Sequence, residues 1–135
     1  QQSLRGLTAW QAMTRDCVRV PNDLSLEELV ERLVLGRAER CFFVTTNGTL
    51  EGMLTLTDVT QTPRSNWQTV TTGQTMRRRE ELISIQPNTE LLTALQAMDD
   101  ANVNQVPVMD GEALLGVLSR EQVLRYVRLR AQLGL

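Results

Sequence analysis

The segment GMLTLTD, residues 52–58, carries groups that suit either a structural or a ligand-binding role. Thr55 and Asp58 have the spacing of a capping box, in which the threonine takes a backbone N–H of the first helical turn and the acid reaches back. The carboxylate of Asp58 could instead accept two hydrogen bonds side by side, which suits a cis-diol such as that of ribose. This spacing is common in proteins, so the segment by itself leaves both roles open.

The composition removes several other kinds of chemistry. The chain has no histidine, which excludes histidine acid–base catalysis and histidine-ligated zinc. Cys17 and Cys41 stand alone in apolar stretches, so we expect buried, reduced thiols in a reducing setting rather than a disulfide or a nucleophile. With neither clustered cysteines nor clustered carboxylates, the sequence predicts no catalytic residue and no metal site, and the chain is not expected to be an enzyme.

The bulk properties are those of a globular domain. The 135 residues are 41% hydrophobic and 22% charged, with a net charge of −2. These values argue against a disordered tail and against nucleic-acid binding driven by bulk charge. No apolar run approaches the length of a membrane span, and no signal peptide is visible. Because the chain begins with Gln1 rather than Met, we expect it to be a piece of a longer protein.

Three segments recur later in the chain in the same order. AWQAM (9–13) matches TGQTM (72–76), VPNDLSLEEL (20–29) matches QPNTELLTAL (86–95), and LEGMLT (50–55) matches LLGVLS (114–119), at offsets of 63, 66 and 64 residues. Small insertions in loops explain the unequal offsets. We therefore predict two copies of one supersecondary unit, with copy one at 1–61, a linker at 62–74 and copy two at 75–135.

Each copy has the pattern of a β-α-β-β-α unit. In copy one, a lead-in strand at 17–20 precedes an amphipathic helix, and Asn47-Gly48 predicts a hairpin between strands 41–44 and 53–56. Pro63 ends a short closing helix. The corresponding predictions for copy two are a lead-in strand at 82–85, a helix face over 91–98, a hairpin of strands 106–109 and 115–118 about Asp110-Gly111, and a closing helix from about Arg120 to Leu133.

One such unit has too little core to be stable alone, so we expect the two to pack face to face as a pseudo-symmetric pair. The predicted fold class is α+β (α/β). The closing helix of copy two has apolar residues on more than one side, among them Val123, Leu124 and Leu129. Such a helix is buried by more than its own half, which predicts contact with the other copy and with a second chain.

The repeated pattern resembles the cystathionine β-synthase (CBS) domain pair, also called a Bateman module. The resemblance covers residues of about 8–130 and rests on Met13 and Met76, the Pro-Asn helix starts, NQVPVMDG (104–111) and the Gly-x-Leu-[Thr/Ser] segments before the closing helices. It implies a regulatory module that requires no cofactor and binds AMP, ADP, ATP or a related adenosine ligand in a cleft between the copies. It also implies a homodimer and no nucleic-acid partner.

The resemblance assigns roles to particular residues. GMLTLTD also resembles the matching segment of the γ subunits of AMP-activated kinase, which makes Asp58 a ribose-binding residue with Thr55 and Thr57 beside it. Arg40 matches a phosphate-binding position, although it could be a surface residue paired with Glu39 or Glu31. The remaining predicted site residues are Ile83 and Ile85 as walls of an adenine pocket, Met53 as its cover and Asn104 near the phosphates, with core packing and turn formation as their structural alternatives.

Copy two departs from this pattern. Gln122 stands where copy one has Asp58, and Gln105 stands where it has Arg40. A neutral amide is a poorer acceptor for a diol, so we expect the second cleft, lined by Asp16, Cys17 and Val18, to be degenerate or empty. The charged run 77–81 could reach a phosphate or an acidic partner, but such runs are more often solvated and paired internally.

A second resemblance concerns the linker TPRSNWQTVTTGQTM and the tail REQVLRYVRLRAQLGL. Both look like CBS pairs attached to site-2-type intramembrane zinc metalloproteases. That resemblance implies a cytoplasmic regulatory domain of an integral membrane protein, with a zinc peptidase in the rest of the parent, since the His-Glu-x-x-His motif is absent here. The alternative function is a purely structural dimerisation or docking module in which Thr55 and Asp58 only cap a helix.

Overall fold

The computed structural model describes residues 4–15 and 17–135. Their elements, in chain order, are α1 (Ala9–Ala12), β1 (Val18–Val20), α2 (Leu26–Leu29) continued as a π-helix (Val30–Leu35), β2 (Cys41–Thr46), β3 (Thr49–Thr55), α3 (Leu56–Thr60), a 3₁₀ turn (Arg64–Asn66), α4 (Thr72–Thr75), β4 (Arg77–Arg78), a 3₁₀ turn (Arg79–Glu81), α5 (Leu91–Ala101), β5 (Gln105–Asp110), β6 (Ala113–Ser119) and α6 (Arg120–Gln132). The predicted mixed α+β class is confirmed.

These elements form two compact units that interleave along the chain. The contiguous unit is Cys17–Leu82, and the discontinuous unit joins residues 4–15 to Ile83–Leu135. The short helix of each repeat and the residues directly after it, 13–15 and 76–82, therefore belong with the body of the other repeat. The repeat boundaries at 61 and 75 remain a prediction about sequence copies, not about these units.

The contiguous unit is built on a sheet of order β1-β2-β3-β4. β1 runs parallel to β2, and β3 runs antiparallel to both of its neighbours. Asn47 and Gly48 have φ of +52° and +80°, the left-handed conformations that a two-residue hairpin turn needs, so the predicted hairpin forms where the sequence placed it. One face of the sheet and α2 bury a core made of Val20, Leu26, Leu29, Phe42, Val44, Leu54 and Val59.

The discontinuous unit packs α1, α5 and α6 around the antiparallel hairpin β5–β6. Its core holds Leu7, Ala9, Ala12, Ile85, Leu91, Ala94, Met98, Val106, Val108, Leu118 and Val123. The predicted lead-in strand at 82–85 is reduced to a single parallel bridge between Ile85 and Val108. The closing helix ends as predicted, since α6 stops at Gln132 and Gly134 follows with φ of +74°.

Two glycines allow each lead-in segment to lie against the other repeat's hairpin. A Cβ at Gly52 would overlap the carbonyl oxygen of Arg77, and a Cβ at Gly116 would overlap the carbonyl oxygen of Thr14. The short helices dock in an equivalent way, because Gly73 N–H donates to Asn22 O at 2.9 Å and Trp10 N–H donates to Pro87 O at 3.0 Å. The Gly in each Gly-x-Leu segment is therefore required by close approach of a backbone.

The structure corrects the prediction of free thiols. Cys17 and Cys41 form a disulfide, with their Cα atoms 5.1 Å apart. Val18 is paired with Phe42 in the parallel ladder, so the residues just before each of these lie side by side. An apolar neighbourhood alone does not distinguish a buried thiol from a buried disulfide, and the reducing setting inferred from it loses its support.

Candidate functional site

Asp58 lies in the first turn of α3, directly after β3, and is 6% exposed. Its Oδ2 accepts hydrogen bonds from the backbone N–H of Thr55 at 2.9 Å and from the Thr55 hydroxyl at 3.1 Å. Thr55 and Asp58 thus form the capping box that their spacing predicts. The structural role of the Thr-x-x-Asp segment is confirmed, which leaves open whether the same groups also bind a ligand.

The second oxygen of Asp58 accepts a hydrogen bond from an arginine that the sequence analysis did not assign to this site. Arg77 Nε donates to Asp58 Oδ1 at 3.1 Å, and the two side chains are 44% and 7% exposed. Arg77 comes close because β4 pairs with β3 with Arg77 opposite Met53. Both oxygens of the buried carboxylate are therefore engaged, one by a helix cap and one by a cation that is partly open to solvent.

Arg40 lies on the other side of the same strand. It directly precedes Cys41, whose ladder partner is Thr55, and its residue is exposed. Within residues 4–15 and 17–135, no hydrogen bond or ion pair holds the Arg40 guanidinium, so the predicted surface pairs with Glu39 or Glu31 do not form. The strands flanking β3 thus bring one paired and one unpaired arginine to the end of β3 that carries Asp58.

The other predicted site residues divide between the two units. In the contiguous unit Met53 is 3% exposed and Thr57 is exposed. In the discontinuous unit Ile85 belongs to the core and Ile83 packs against that core. Asn104 is exposed, and its Oδ1 accepts from Arg120 Nε at 3.1 Å. Core packing, the structural alternative for Ile83 and Ile85, is thus observed, and the ligand-binding roles of all these residues stay predictions.

Copy two repeats the cap without the acid. The Ser119 hydroxyl oxygen accepts from the backbone N–H of Gln122 at 3.1 Å. A cation is present here too, but Arg120 forms an ion pair with Asp99 and reaches Asn104 rather than Gln122. The Oε1 of Gln105 is buried and has no hydrogen-bond partner among the described residues. Asp16, predicted to line a second cleft, lies outside the described residues, and Cys17 is in the disulfide.

The charged run 77–81 is in part paired internally, and in part it contacts another element of the contiguous unit. Arg78 pairs with Glu80 at 3.3 Å, with both side chains largely exposed. A backbone hydrogen bond, and then the hydrogen bond from Arg78, lower the pKa of Glu80 below its ordinary value. Arg77 instead contacts the candidate site. The sequence analysis did not assign Arg77 to the site, because only the pairing of β4 with β3 brings Arg77 to Asp58. The available signal was that Arg77 directly follows Met76, one of the residues that define the repeat.

The chain belongs to the CBS domain family, whose model matches residues 9–64 and 73–129. A CBS domain pair is a regulatory, non-catalytic module, so the chain itself is not an enzyme. Such pairs commonly bind adenosine-containing ligands. The family predicted from the repeats is thereby confirmed.

Solved structures with the same fold share little sequence with this chain. The CBS domain pair of protein MJ0100, in complex with 5′-methylthioadenosine and S-adenosyl-L-methionine, has a TM-score of 0.73 at 17% identity and covers 87% of this chain and 93% of that one. An acetoin utilization protein (AcuB) from Vibrio cholerae has a TM-score of 0.80 at 17% identity, covering 95% and 96%. A hexameric CBS-CP12 protein from cyanobacteria has a TM-score of 0.76 at 20% identity, covering 87% and 66%. At these identities the likeness shows the fold alone.

Curated relatives are longer proteins. A Synechocystis sp. protein named as a zinc metalloprotease is 22% identical over 97% of this chain and 35% of its own length. A homoserine O-acetyltransferase of Methanohalophilus mahii is 25% identical over 87% of this chain and 24% of its own length. The chain therefore spans about a quarter to a third of these relatives.

The predicted localisation, a cytoplasmic domain of an integral membrane protein, was wrong. Across residues 4–15 and 17–135, no helix is both long enough and apolar enough to cross a membrane. The resemblance of the linker and tail to membrane metalloproteases corresponds to a match that covers 35% of one relative named as a zinc metalloprotease. A regulatory segment shared by such proteins does not carry their localisation with it.

Proposed function

We propose that the chain senses an adenosine nucleotide at the Asp58 end of the contiguous unit and regulates an effector to which it is attached. One observation supports this site above all: the Asp58 carboxylate, 6% exposed, lies at a strand end in contact with the partly exposed Arg77, and Arg40, which precedes the neighbouring strand, forms no ion pair among the described residues. A carboxylate beside cations matches a ligand that offers both hydroxyl and phosphate groups. The MJ0100 pair was solved with adenosine-containing ligands, which supports adenosine as the base and sugar of the proposed ligand.

The site residues that we propose within the contiguous unit are Thr55, Thr57 and Asp58 for the ribose, Arg40 for a phosphate, and Met53 beside the base. Ile83, Ile85 and Asn104 of the discontinuous unit remain proposals from the family resemblance. A ligand that binds one conformation of the pair more tightly than another shifts their populations, and an attached effector responds to that shift. Regulation therefore needs no catalytic group in this chain.

Thermal unfolding in the presence of candidate ligands tests the proposal. We expect AMP, ADP or ATP to raise the unfolding midpoint, because a ligand at 100 times its dissociation constant stabilises the folded state by about 2.7 kcal/mol. S-adenosylmethionine and NAD serve as adenosine ligands of different charge. The Asp58→Ala variant should lose the shift, while Gln122→Ala, the corresponding change in copy two, should keep it. No shift with any ligand contradicts the proposal, and a shift that persists in Asp58→Ala places the site elsewhere.

Self-association is a second candidate function, and a specific observation favours it. On α6, Leu124 and Leu129 are 56% and 52% exposed, although Val123 on the same helix is buried. Apolar side chains on the outer side of a helix are commonly covered by a partner, and we propose a second copy of this chain as that partner. The oligomeric state by analytical ultracentrifugation, with Leu124→Glu and Leu129→Glu together as the variant, tests it. A monomer at all concentrations contradicts it.

For the effector we propose a zinc metallopeptidase, on the evidence of the Synechocystis sp. match. This chain could supply only regulation to such an enzyme, since it contains no histidine to bind the metal. A His-Glu-x-x-His motif elsewhere in the polypeptide that contains these residues would support the assignment. A polypeptide without such a motif contradicts it and leaves nucleotide sensing unaffected.

A further inference from the structure

We propose that Arg77 is a phosphate-binding residue of this site and that Asp58 positions it for that task. The inference rests on the proposed function, and it adds to the site a residue outside the GMLTLTD segment. The Arg77 contact to Asp58 is made through Nε alone. In the described part of the chain, no other side-chain hydrogen bond involves the guanidinium, and the side chain is 44% exposed. The two terminal nitrogens of Arg77 thus keep their N–H groups for an incoming anion.

The burial of Asp58 explains how it could fix the direction of Arg77. The carboxylate is held from one side by two donors of Thr55, and Thr55 itself ends β3. The backbone of Arg77 is fixed by its pairing with Met53 of the same strand. An arginine held at both its backbone and its Nε loses little further side-chain entropy on binding, which favours a preorganised phosphate contact.

The neighbouring arginines support a specific role for Arg77. Arg78, one residue further on, is 69% exposed and is paired with Glu80, so it is a matched arginine without the link to Asp58. Arg40 directly precedes β2, the strand on the opposite side of β3. The free terminal N–H groups of Arg77 suit a phosphate, which accepts several charge-assisted hydrogen bonds at once. The ligand class that follows is a phosphorylated nucleoside rather than a neutral one.

Titration calorimetry with AMP and with adenosine tests the inference, because the two differ only in the phosphate. We expect the wild-type protein to bind AMP at least about tenfold more tightly than adenosine, as a charge-assisted contact allows. That ratio should fall to about one to three in Arg77→Met and in Asp58→Asn, which keeps an oxygen for Thr55 but loses the charge beside Arg77. The ratio should be unchanged in Arg78→Met. A ratio between two ligands of the same base and sugar does not respond to a general loss of stability.

The outcomes separate the two proposals. If wild type binds AMP but the ratio survives Arg77→Met, the phosphate role of Arg77 is overturned while nucleotide sensing stands. A ratio that falls in Arg77→Met but survives in Asp58→Asn overturns the positioning role of Asp58. If wild type binds neither AMP nor adenosine, nucleotide sensing at this site is wrong and this inference fails with it. Should Arg77→Met fail to fold, Arg77→Gln keeps a donor for Asp58 without the charge and serves in its place.

Discussion

Asp58 joins three parts of the contiguous unit through two oxygens. It completes the cap of α3 with Thr55 and anchors Arg77 of β4 beside β3. Gln122, its counterpart, donates its backbone N–H to the Ser119 cap, with no side-chain bond to that cap among the described residues. The two repeats thus use the same local device to begin the closing helix, and only copy one adds a charged side chain to it. At the scale of single residues, the asymmetry between the repeats is concentrated here.

This asymmetry predicts unequal effects on stability. We expect Asp58→Ala to lower the free energy of unfolding by about 1–2 kcal/mol, of which the cap contributes about 1 kcal/mol. The ion pair adds less than about 1 kcal/mol, because Arg77 is partly exposed and solvent screens the pair. Gln122→Ala should change stability by less than about 0.5 kcal/mol, since the cap uses its backbone. Urea unfolding of both variants checks the difference, and equal losses contradict it.

Ala38 is a second residue where the repeats differ. Its φ is +58°, a conformation that glycine or asparagine adopts more easily. Copy two places Asn102, with φ of +54°, at the end of its helix. We expect Ala38→Gly to raise stability by about 0.5 kcal/mol, because relief of the strained backbone exceeds the added entropy of the unfolded glycine. Asn102→Gly is the control and should gain less in the same unfolding measurement. A loss of stability in Ala38→Gly would contradict this account.

At the scale of elements, the helix before Ala38 shows what sequence could and could not predict. The predicted amphipathic helix after the lead-in strand does form, starting at Leu26, but its second half is a π-helix, Val30–Leu35. At the end of this helix Glu39 N–H donates to Leu33 O. At the end of the corresponding helix of copy two, α5, Val103 N–H donates to Met98 O. Periodicity of three to four residues does not distinguish these turns, because both leave the same apolar side chains facing the core.

The hairpins, the capping box and the closing helices were predictable, because each depends on residues close together in sequence. The contact of Arg77 with Asp58 and the Cys17–Cys41 disulfide were not predicted, since both depend on which strands pair. One signal did exist for the disulfide. The residues of β1 pair with those of β2 at the offset that separates the two cysteines, 24 residues. Parallel pairing of the two predicted strands would have placed the thiols together.

The disulfide predicts a stability that depends on reductant. Closing a loop of 24 residues stabilises the folded state by about 3.5 kcal/mol in the chain-entropy account. A reducing agent such as tris(carboxyethyl)phosphine should therefore lower the unfolding midpoint by on the order of 10 °C. The Cys17→Ser, Cys41→Ser double variant should start at the lower midpoint and show no response to reductant. Two free thiols by mass spectrometry of the unreduced protein would show that the bond does not form in solution.

At the scale of the whole molecule, the connectivity of the two units differs in kind. The contiguous unit is a single stretch, Cys17–Leu82, whereas the discontinuous unit needs residues from both sides of it. Its core includes Leu7, Ala9 and Ala12 of the lead-in segment, with Ala9 fully buried. The sequence repeat predicted two units, but it did not predict the exchange by which the short helix of each repeat packs with the body of the other. A repeat shows which segments are alike and not which ones pack together. The exchange requires glycine at 52 and 116, because the backbones of Arg77 and Thr14 pass close to these two positions.

The exchange predicts that the two parts of the discontinuous unit associate when they are prepared as separate polypeptides. A fragment of residues 83–135 lacks the lead-in side of its core, and chains of this size bury too little surface to be stable without it. We expect the fragment alone to unfold without cooperativity. A peptide of residues 4–15 should restore a cooperative transition, since Leu91 N–H donates to Leu7 O and Thr14 exchanges two backbone hydrogen bonds with Val117.

Circular dichroism of the fragment, titrated with the peptide, measures this complementation. The matched control is the same peptide with Ala9→Arg, because a long charged side chain cannot occupy a position with no exposed surface. The peptide of residues 72–82, the lead-in segment of the other repeat, should also fail, since Arg77 would replace Thr14 beside Gly116. A fragment that unfolds cooperatively without any peptide, or one that responds equally to all three peptides, contradicts the assignment of residues 4–15 to this core.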